Sequence, residues 1–335
     1  MKATTIIVLA LTATLGAKAQ TPSREVMRST VVEEFTGNRC GYCTRGHAGM
    51  ARLRSEYGDR FIGIAIHRYN ESDPMYFKTY AKLNFQGAPQ AMVDRQGPVD
   101  PYMGNSTDQL TFGMGSVFKY ANAEPATVDV DLKAAYTDDT HTAVEATATI
   151  EPLISGERFT IAFALTADSL YDSSWTQYNT YASHSPVGDP FLDQFCTDGV
   201  YGQSYANIVF NDVLIASSYN GVGMNTARFP NSTQFNDGEP VSLTHKLSMP
   251  AASTPVRAAI KDDLVSVVAI VFSADGNVAN ARRVAVSTGT SAIADASAAP
   301  LGDGRSYDLQ GRQVSTSGRG LTIVKRDGQV RKYLK

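Results

Sequence analysis

Two cysteines in the segment VVEEFTGNRCGYCTRG, residues 31 to 46, have the type and spacing needed for thiol chemistry. Cys40 and Cys43 form a Cys-x-x-Cys motif, in which a thiolate can attack or release a disulfide. The motif is a modest signal by itself, because the same spacing supplies half of a zinc site. The elements around it therefore decide its interpretation.

The residues on both sides of the motif predict that Cys40 lies at the start of a helix. Val31, Val32 and Phe35 are typical of a buried strand, and apolar residues recur at helical spacing after the motif. Unpaired N–H groups and the positive end of the helix dipole favour a thiolate at this position, and Arg39 adds a neighbouring cation. We predict that Cys40 is the exposed, reactive cysteine.

A zinc site would need two further ligands. The sequence has no second cysteine pair, and His47 and His67 lack ligand spacing, so we favour a redox site and expect no metal and no cofactor. We interpret His47 as a helix-surface residue that lies close enough to Cys43 to tune a thiolate, and His67 as a partner in a structural hydrogen bond. Cys196 is interpreted as a small buried apolar residue.

Strand and helix signals alternate over residues 25 to 123. The run FIGIAIH, residues 61 to 67, predicts a second strand buried on both faces, which gives a βαβ unit. The pair Asp73-Pro74 predicts an N-cap followed by the first residue of a helix that ends near Gly87, and a hairpin follows. A last helix is predicted from a cap at residues 105 to 108 to about residue 121.

The pattern changes to period two after residue 123. Residues 124 to 287 predict an all-β, immunoglobulin-like sandwich of about seven strands. An aromatic, Ser-rich and Asn-rich insertion at residues 168 to 206 interrupts it, and its spacing identifies no chemistry. Residues 288 to 304 have the composition of a linker, and residues 305 to 335 predict a small C-terminal β module.

The composition excludes some partners and indicates export. The chain has 335 residues, 43% of them hydrophobic, and a net charge of -3, so nucleic acid is not an expected partner. Residues 1 to 19 have the charged start, apolar run and small-residue end of a signal peptide. No later apolar run is long enough for a transmembrane span. We expect an exported protein.

The order of strand, Cys-x-x-Cys helix, strand and Gly-x-Pro resembles the thioredoxin superfamily. The resemblance implies a thioredoxin-like α/β domain in which Pro89 is the cis-proline that faces the dithiol. It also implies that Ala88 binds the substrate backbone. Glu34, six residues before Cys40, matches the buried acid that accepts the proton of the resolving cysteine. A salt-bridged glutamate at a strand end is the alternative for Glu34.

The mechanism expected for the dithiol is thiol-disulfide exchange. Cys40 attacks a substrate disulfide, and Cys43 resolves the mixed disulfide. The residues between them, Gly41 and Tyr42, differ from the Gly-Pro of thioredoxins and equal those of a bacterial periplasmic disulfide isomerase. We expect both to contact the substrate, and protein thiols, protein disulfides and a redox partner protein to be the partners.

Longer matches make the resemblance closer. The segments EEFTGNRCGYCTRG, IAIHRYNESDPM and FQGAPQAMVDR, followed by a β domain, are similar to the outer membrane protein 28-related family of Bacteroidetes. Thr44 departs from the family, whose members often have Pro there. The C-terminal segments YDLQGRQV and GLTIVKRDGQVRKYLK resemble the sorting domains of type IX secretion cargo. These resemblances imply contact with that machinery and a location in the periplasm, on the outer membrane or cell surface, or outside the cell.

The sequence leaves two functions open. The first is an exported thiol-disulfide oxidoreductase or isomerase that acts on protein disulfides through Cys40 and Cys43. The second is a binding protein of the cell surface or outer membrane, in which the sandwich and its insertion contact a partner and the Cys40–Cys43 pair is a static disulfide.

Overall fold

A computed structural model describes most of the chain. The described residues are 21–102, 111–221, 223–288 and four strands within 305–334. The predicted signal peptide, all but the first residue of the predicted linker and the helix cap predicted at residues 105–108 lie outside these residues.

The first part of the chain forms a mixed sheet around the strand that leads to the cysteines. Its elements are β1 (Thr30–Thr36), α1 (Thr44–Tyr57), β2 (Phe61–His67), β3 (Gln90–Val93), β4 (Pro98–Val99) and α2 (Gly113–Ala123). β1 pairs with β2 in parallel and with β3 antiparallel, and the local order is β4-β3-β1-β2. This mixed α/β arrangement is consistent with a thioredoxin-like fold. Every residue of β2 is buried, as its continuous apolar run predicts.

The helix predicted after Pro74 is absent, and that prediction was wrong. Asp73 Oδ1 accepts the local hydrogen bond from Met75 N–H at 2.9 Å, but Oδ2 accepts from the distant Asn38 N–H at 2.7 Å and lies 2.9 Å from His67 Nδ1, and no helix follows. Residues 78 to 86 contain no helix or strand, and within them Tyr80 and Ala81 are buried against the sheet. Burial of these side chains outweighs the helical propensity of the segment.

The second part of the chain is rich in β-strands. Its elements are β5 (Val128–Tyr136), β6 (Ala143–Pro152), β7 (Thr160–Ala167), β8 (Gln177–Tyr178), α3 (Pro190–Asp193), β9 (Tyr205–Ala206), β10 (Val213–Ser217), β11 (Val241–Ser248), α4 (Pro255–Ala259), β12 (Val265–Phe272) and β13 (Val278–Ala285). The predicted boundary at residue 123 coincides with the end of α2. The strands on its two sides nevertheless share one eight-stranded sheet, in the order β13-β12-β7-β10-β2-β1-β3-β4. Val213 of β10 pairs with Ala65 of β2 at the junction.

A second, three-stranded sheet packs on this large sheet. Its order is β11-β6-β5, and its inward residues share one core with β7 and β12. Val128 and Ile150 from the small sheet and Phe163 and Val267 from the large sheet are among these core residues. Along β6, residues alternate between buried and partly buried over most of its length, as the period-two pattern predicts. In this part, one layer therefore consists of β5, β6 and β11, and the other of β7, β10, β12 and β13.

Buried ion pairs join α1 to the β-rich part. Arg54 of α1 pairs with the buried Asp212 and lies 3.5 Å from Asp168. Arg283 of β13 lies 3.1 Å from the second oxygen of Asp212. α1 precedes the predicted boundary at residue 123, and it is therefore held by ion pairs with residues that follow this boundary.

Residues up to Thr290 form one compact unit, and Ser291–Lys335 form a second. The second unit, taken by itself, holds an antiparallel sheet of four strands in the order β15-β14-β16-β17. These strands are β14 (Arg305–Tyr307), β15 (Gln313–Val314), β16 (Leu321–Arg326) and β17 (Gln329–Leu334).

Candidate functional site

The two cysteines of the motif form a disulfide at the start of the helical segment. β1 ends at Thr36, and after a short turn a 3₁₀ turn at Gly41–Cys43 runs into α1. Cys40 and Cys43 are joined, with their Cα atoms 5.3 Å apart. When the pair is reduced, the helix N-terminus favours the thiolate form of Cys40.

Pro89 and Glu34 meet the first turn of α1. The Ala88–Pro89 peptide bond is cis, as the resemblance implies, and Pro89 is buried. A methyl group built on Gly46 would overlap the Glu34 carboxylate and would lie 3.3 Å from the Cβ of Pro89. The glycine, three residues after Cys43, therefore lets β1 and the proline loop approach the helix backbone closely.

Glu34 is a buried acid whose carboxylate has no ion pair and no hydrogen bond within the described part of the chain. It is fully buried, and neither of its carboxylate oxygens has a hydrogen-bond partner among the described residues. Burial raises the pKa of Glu34 to about 8. Its neighbour Glu33 is also fully buried but pairs with Arg95 at 2.7 Å. The salt-bridged alternative thus describes Glu33, while Glu34 has the properties of a group that exchanges a proton near neutral pH.

A cavity of about 220 Å³ reaches Glu34 from the side of the β-rich part. His47, Arg54, Ile208 and Asp212 are among the residues that line it. Its volume is sufficient for several water molecules, and its polar lining offers them partners. Water can therefore carry a proton to or from the Glu34 carboxyl.

The insertion covers Cys40, so the prediction that this cysteine is exposed was wrong. We call residues 177–183 the cap. Gln177 Nε2 donates to the carbonyl oxygen of Cys40 at 2.8 Å, and Tyr178 N–H donates to the carbonyl oxygen of Asn38 at 2.7 Å. Cys40 is only 4% exposed beneath these contacts. Composition marked the insertion as unusual, but no spacing in it linked Gln177 to the dithiol.

The residues predicted to contact a substrate differ in accessibility. Gly41 lies under the cap, because a methyl group there would overlap the hydroxyl of Thr180. Tyr42 is 54% exposed, and its ring meets Tyr181 edge to face at a centroid distance of 6.3 Å. Ala88 is partly exposed. Tyr42 is therefore the most accessible of the three, while Gly41 and Ala88 are both partly exposed.

Both histidines near the motif are enclosed. His47 is not a solvated surface residue, because its Nε2 lies 3.2 Å from Gln177 Oε1 and its ring packs against Phe210. Burial lowers the pKa of His47 to about 4, and the nearby His67 adds to this effect. His67 is fully buried with Nδ1 2.9 Å from Asp73, the structural hydrogen bond expected from sequence. His47 is therefore neutral at pH 7 and joins α1 to the cap.

Outside the dithiol site, the features that bear on function are the third cysteine, metal-binding clusters and membrane-spanning helices. Cys196 is buried, its Sγ lies 3.8 Å from the carbonyl oxygen of Leu192, and burial raises the pKa of its thiol. Within residues 21–102, 111–221 and 223–288 no cluster of three or more His, Cys, Asp or Glu side chains could hold a metal ion. No described helix has both the length and the apolar character needed to cross a bilayer.

The buried carboxyl predicts how stability changes with pH. The pKa of Glu34 is 4.5 in its ordinary state and about 8 in the folded protein, so between these values the folded chain keeps a proton that the unfolded chain loses. Wild type should therefore lose stability relative to Glu34→Gln as pH rises from 5 to 8, by at most roughly 1.4 kcal/mol per pH unit. Urea unfolding of both proteins across this range measures the difference. Parallel pH profiles would contradict the assignment.

Comparison with known proteins gives no family. No protein-family model matches the chain, and no curated protein sequence matches it. Solved structures that resemble it include HBP35 of Porphyromonas gingivalis, with 15% identity, a TM-score of 0.49 and coverage of 93% of this chain and 98% of that one. A protein from Agrobacterium tumefaciens has 15% identity, a TM-score of 0.38 and coverage of 78% and 96%. A domain of the outer membrane lipoprotein Omp28 from P. gingivalis has 13% identity, a TM-score of 0.25 and coverage of 48% and 88%. Such low values assign neither a family nor an activity.

Proposed function

We propose that the protein is an exported thiol-disulfide oxidoreductase or isomerase that acts on protein disulfides through Cys40 and Cys43. The observation that carries this proposal is Glu34. A static disulfide has no need of a buried, unpaired carboxyl against the helix turn that follows it, and such a group lowers stability above its ordinary pKa. A proton acceptor for the second cysteine needs that environment.

In the proposed reaction the reduced protein supplies two electrons to the substrate. The Cys40 thiolate attacks one sulfur of a substrate disulfide, the substrate S–S bond breaks, and its other sulfur leaves as a thiolate that takes a proton from water. Glu34, after its own proton has passed to water, accepts the proton of Cys43; the Cys43 sulfur then attacks Cys40, the mixed disulfide breaks, and the second substrate sulfur leaves as a thiolate that takes a proton from water. The Cys40–Cys43 disulfide forms, and a redox partner protein reduces it again. Run in reverse, the oxidised pair oxidises a substrate dithiol.

Tyr42 and Ala88 are the proposed substrate contacts. Their exposure beside the buried disulfide supports this role, since the substrate backbone must approach between the cis-proline loop and the dithiol. Gly41 lies against Thr180 of the cap, and the neighbouring Cys40 is only 4% exposed, so a substrate disulfide reaches the dithiol only when the cap moves away. The proposed enzyme therefore works with its cap open.

We also propose the finer assignments of the remaining chain. The strand orders β11-β6-β5 and β13-β12-β7-β10 support an immunoglobulin-like sandwich. A second assignment is membership in the outer membrane protein 28-related family, which rests on the segments around the cysteines and Pro89 that resemble that family. A third is contact of the terminal module with the type IX secretion machinery, which rests on the two C-terminal segments that resemble sorting domains. Export to the periplasm, the cell surface or the medium follows from the same segments and from the signal-peptide pattern.

The alternative function is a surface binding protein with a static disulfide. The specific observation in its favour is the burial of Cys40 under Gln177 and Tyr178. The insertion that forms the cap is itself anchored in the main core through Tyr181, Leu192 and Phe195. In that case the cap is a fixed part of the fold, and the sandwich carries the function.

Differential alkylation distinguishes the two functions. After reduction, we expect iodoacetamide at neutral pH to label Cys40 at least about ten times faster than Cys43, because Cys40 begins the helical segment, whereas Cys43 lies within it and is fully buried. Peptide mass spectrometry measures both rates. Cys43→Ala, incubated with extracts of the exported fraction, should hold mixed disulfides that Cys40→Ala in the same extracts does not. Equal, slow labelling together with no adduct would favour the static disulfide.

A further inference from the structure

A second cavity lies away from the disulfide and has a different lining. Its volume is about 460 Å³. We call it the arginine cleft and define it by Arg95, Arg158, Arg228, Phe229, Phe235 and Phe272. Among the described residues that line it, none is acidic. The lining thus combines several cationic groups with aromatic rings, although the whole chain has a negative net charge.

We propose that the arginine cleft binds a small organic anion, in which a carboxylate, phosphate or sulfate group is attached to a flat apolar body. Guanidinium groups recognise such oxyanions through paired N–H donors, and aromatic walls accept the apolar part. This inference is independent of the proposed redox function.

Arg95 is a rigid element of the cleft. Its Nε and Nη2 donate to the two oxygens of Glu33 at 2.8 and 2.7 Å, and its guanidinium carbon lies 4.3 Å from the centre of the Phe272 ring. Arg95 and the preceding Asp94 both have positive φ, at 61° and 47°. Two consecutive residues with positive φ form the centre of a tight β-turn, which is closed here by a hydrogen bond of 3.0 Å from Gln96 N–H to the carbonyl oxygen of Val93. A preorganised arginine loses little freedom when a ligand binds.

Arg158 and Arg228 supply the mobile charge. Both side chains are exposed, and each donates one hydrogen bond to a neighbouring carbonyl oxygen, Arg158 to Asn231 and Arg228 to Asn225. Each guanidinium has five N–H groups, so one such bond leaves several for a ligand. Neither residue forms a salt bridge among the described residues.

The acids that lie near the cleft in sequence are engaged elsewhere. Glu157 accepts a hydrogen bond from Ala274 N–H at 2.9 Å. Asp275 accepts from Ser273 Oγ at 2.6 Å and from Asn277 N–H at 3.0 Å within the β12–β13 turn. Glu33 neutralises Arg95 from beneath. Neither Glu157 nor Asp275 lines the cleft, so Arg158 and Arg228 are the charged groups of its lining that have no acidic partner among the described residues.

The aromatic wall is ordered by ring contacts. Phe235 meets Phe159 at a centroid distance of 5.5 Å and Phe229 at 5.4 Å, both close to perpendicular. Phe229 keeps part of its surface exposed. Edge-to-face pairs of this kind hold the rings in place and leave a face for stacking. A flat, aromatic ligand body fits this wall better than a branched aliphatic one.

The cleft and the disulfide lie at opposite ends of the sheet. Arg95 follows β3, whose Val93 pairs with Val32 near the beginning of β1, whereas Cys40 follows the end of β1. A ligand in the cleft therefore does not contact the dithiol. A test of binding at this site does not depend on the redox state of the cysteines.

Calorimetric titration of the full chain with phenyl phosphate, phenylacetate and the neutral benzyl alcohol tests the proposal. We expect at least one of the two anions to bind saturably at millimolar concentrations or below and benzyl alcohol to bind at least about tenfold more weakly, since the guanidinium contacts require a charged oxyanion. The preferred anion identifies the oxyanion as phosphate or carboxylate. Inorganic phosphate should bind more weakly than phenyl phosphate, because it lacks the apolar body.

Variants locate the binding. The double variant Arg158→Gln/Arg228→Gln should weaken anion binding at least about tenfold, and Phe229→Ala should weaken phenyl phosphate more than inorganic phosphate. Arg39→Gln, an exposed arginine beside the disulfide, is the matched control and should leave binding unchanged. The substituted arginines are exposed, so unchanged melting temperatures verify the fold. No saturable binding of either anion, or binding that is unaltered in the double variant, would overturn the proposal.

Discussion

Replacing Gln177 by Ala is expected to raise the rate at which thiols reduce the Cys40–Cys43 disulfide by roughly 100-fold. Gln177 joins the cap to the rest of the site through the carbonyl oxygens of Cys40 and Gly37 and through the His47 ring. Each hydrogen bond contributes about 1 kcal/mol to the closed state, and about 1.4 kcal/mol corresponds to a factor of ten in the open population. Since a reductant must reach a sulfur that is 4% exposed, its rate follows that population.

Reduction kinetics with dithiothreitol, followed by quenching and mass-tagging of free thiols, measure this effect. Trp175 is the single tryptophan and lies two residues before Gln177, so its fluorescence reports cap opening independently. Gln203→Ala removes an exposed glutamine from the same insertion and should leave the rate unchanged. A Gln177→Ala protein that is folded and reduces at the wild-type rate would show that the cap does not control access.

The central part of the site could be predicted from local sequence. Val31 and Val32 indicate the strand, the Cys-x-x-Cys motif falls at the beginning of the helix, and Pro89 has a cis peptide bond as the resemblance implies. The strand and the start of the helix depend on short-range patterns, which a single sequence displays, whereas the cis-proline was expected only from the resemblance. A strand covered on both faces implied that Glu33 or Glu34 is buried, and the structure buries both.

The cap could not be predicted, because it depends on contacts between residues far apart in the chain. Gln177 lies 137 residues from Cys40, and no periodicity links the two. The same applies to Asp73, which looks like a helix cap in sequence and accepts from Met75 N–H, but whose second oxygen contacts the distant Asn38 and His67. Its side chain is used in tertiary structure, so the local signal for a helix was misleading.

Local sequence patterns also could not predict that strands from both parts of the chain share one sheet. β10 was expected within a sandwich, yet Val213 pairs with Ala65 and extends the sheet of the first part. Period-two alternation identifies a strand and its buried face but says nothing about which strand lies beside it. Arg54, paired with Asp212, shows the consequence, since the helix after the cysteines is held by the β-rich part.

Replacing Arg95 by Met is expected to lower the free energy of unfolding by about 3 to 5 kcal/mol. The substitution leaves Glu33 fully buried and without its bidentate partner, at contacts of 2.7 and 2.8 Å. Removing one member of a buried pair is costly because the remaining charge is neither solvated nor compensated. Urea or guanidinium unfolding at pH 7, with unchanged cooperativity, measures the loss.

Two further variants separate the buried charge from the lost packing of Arg95 on Phe272. Glu33→Met/Arg95→Met removes both charges and should recover most of the stability, since an apolar pair of similar volume is often neutral relative to a buried ion pair. Arg24→Met breaks an exposed contact with Asp129 at 2.8 Å and should cost at most about 1 kcal/mol. If Arg95→Met costs no more than Arg24→Met, the Glu33 carboxylate is not an uncompensated buried charge. If the double variant stays as unstable as Arg95→Met, the loss comes from packing against Phe272.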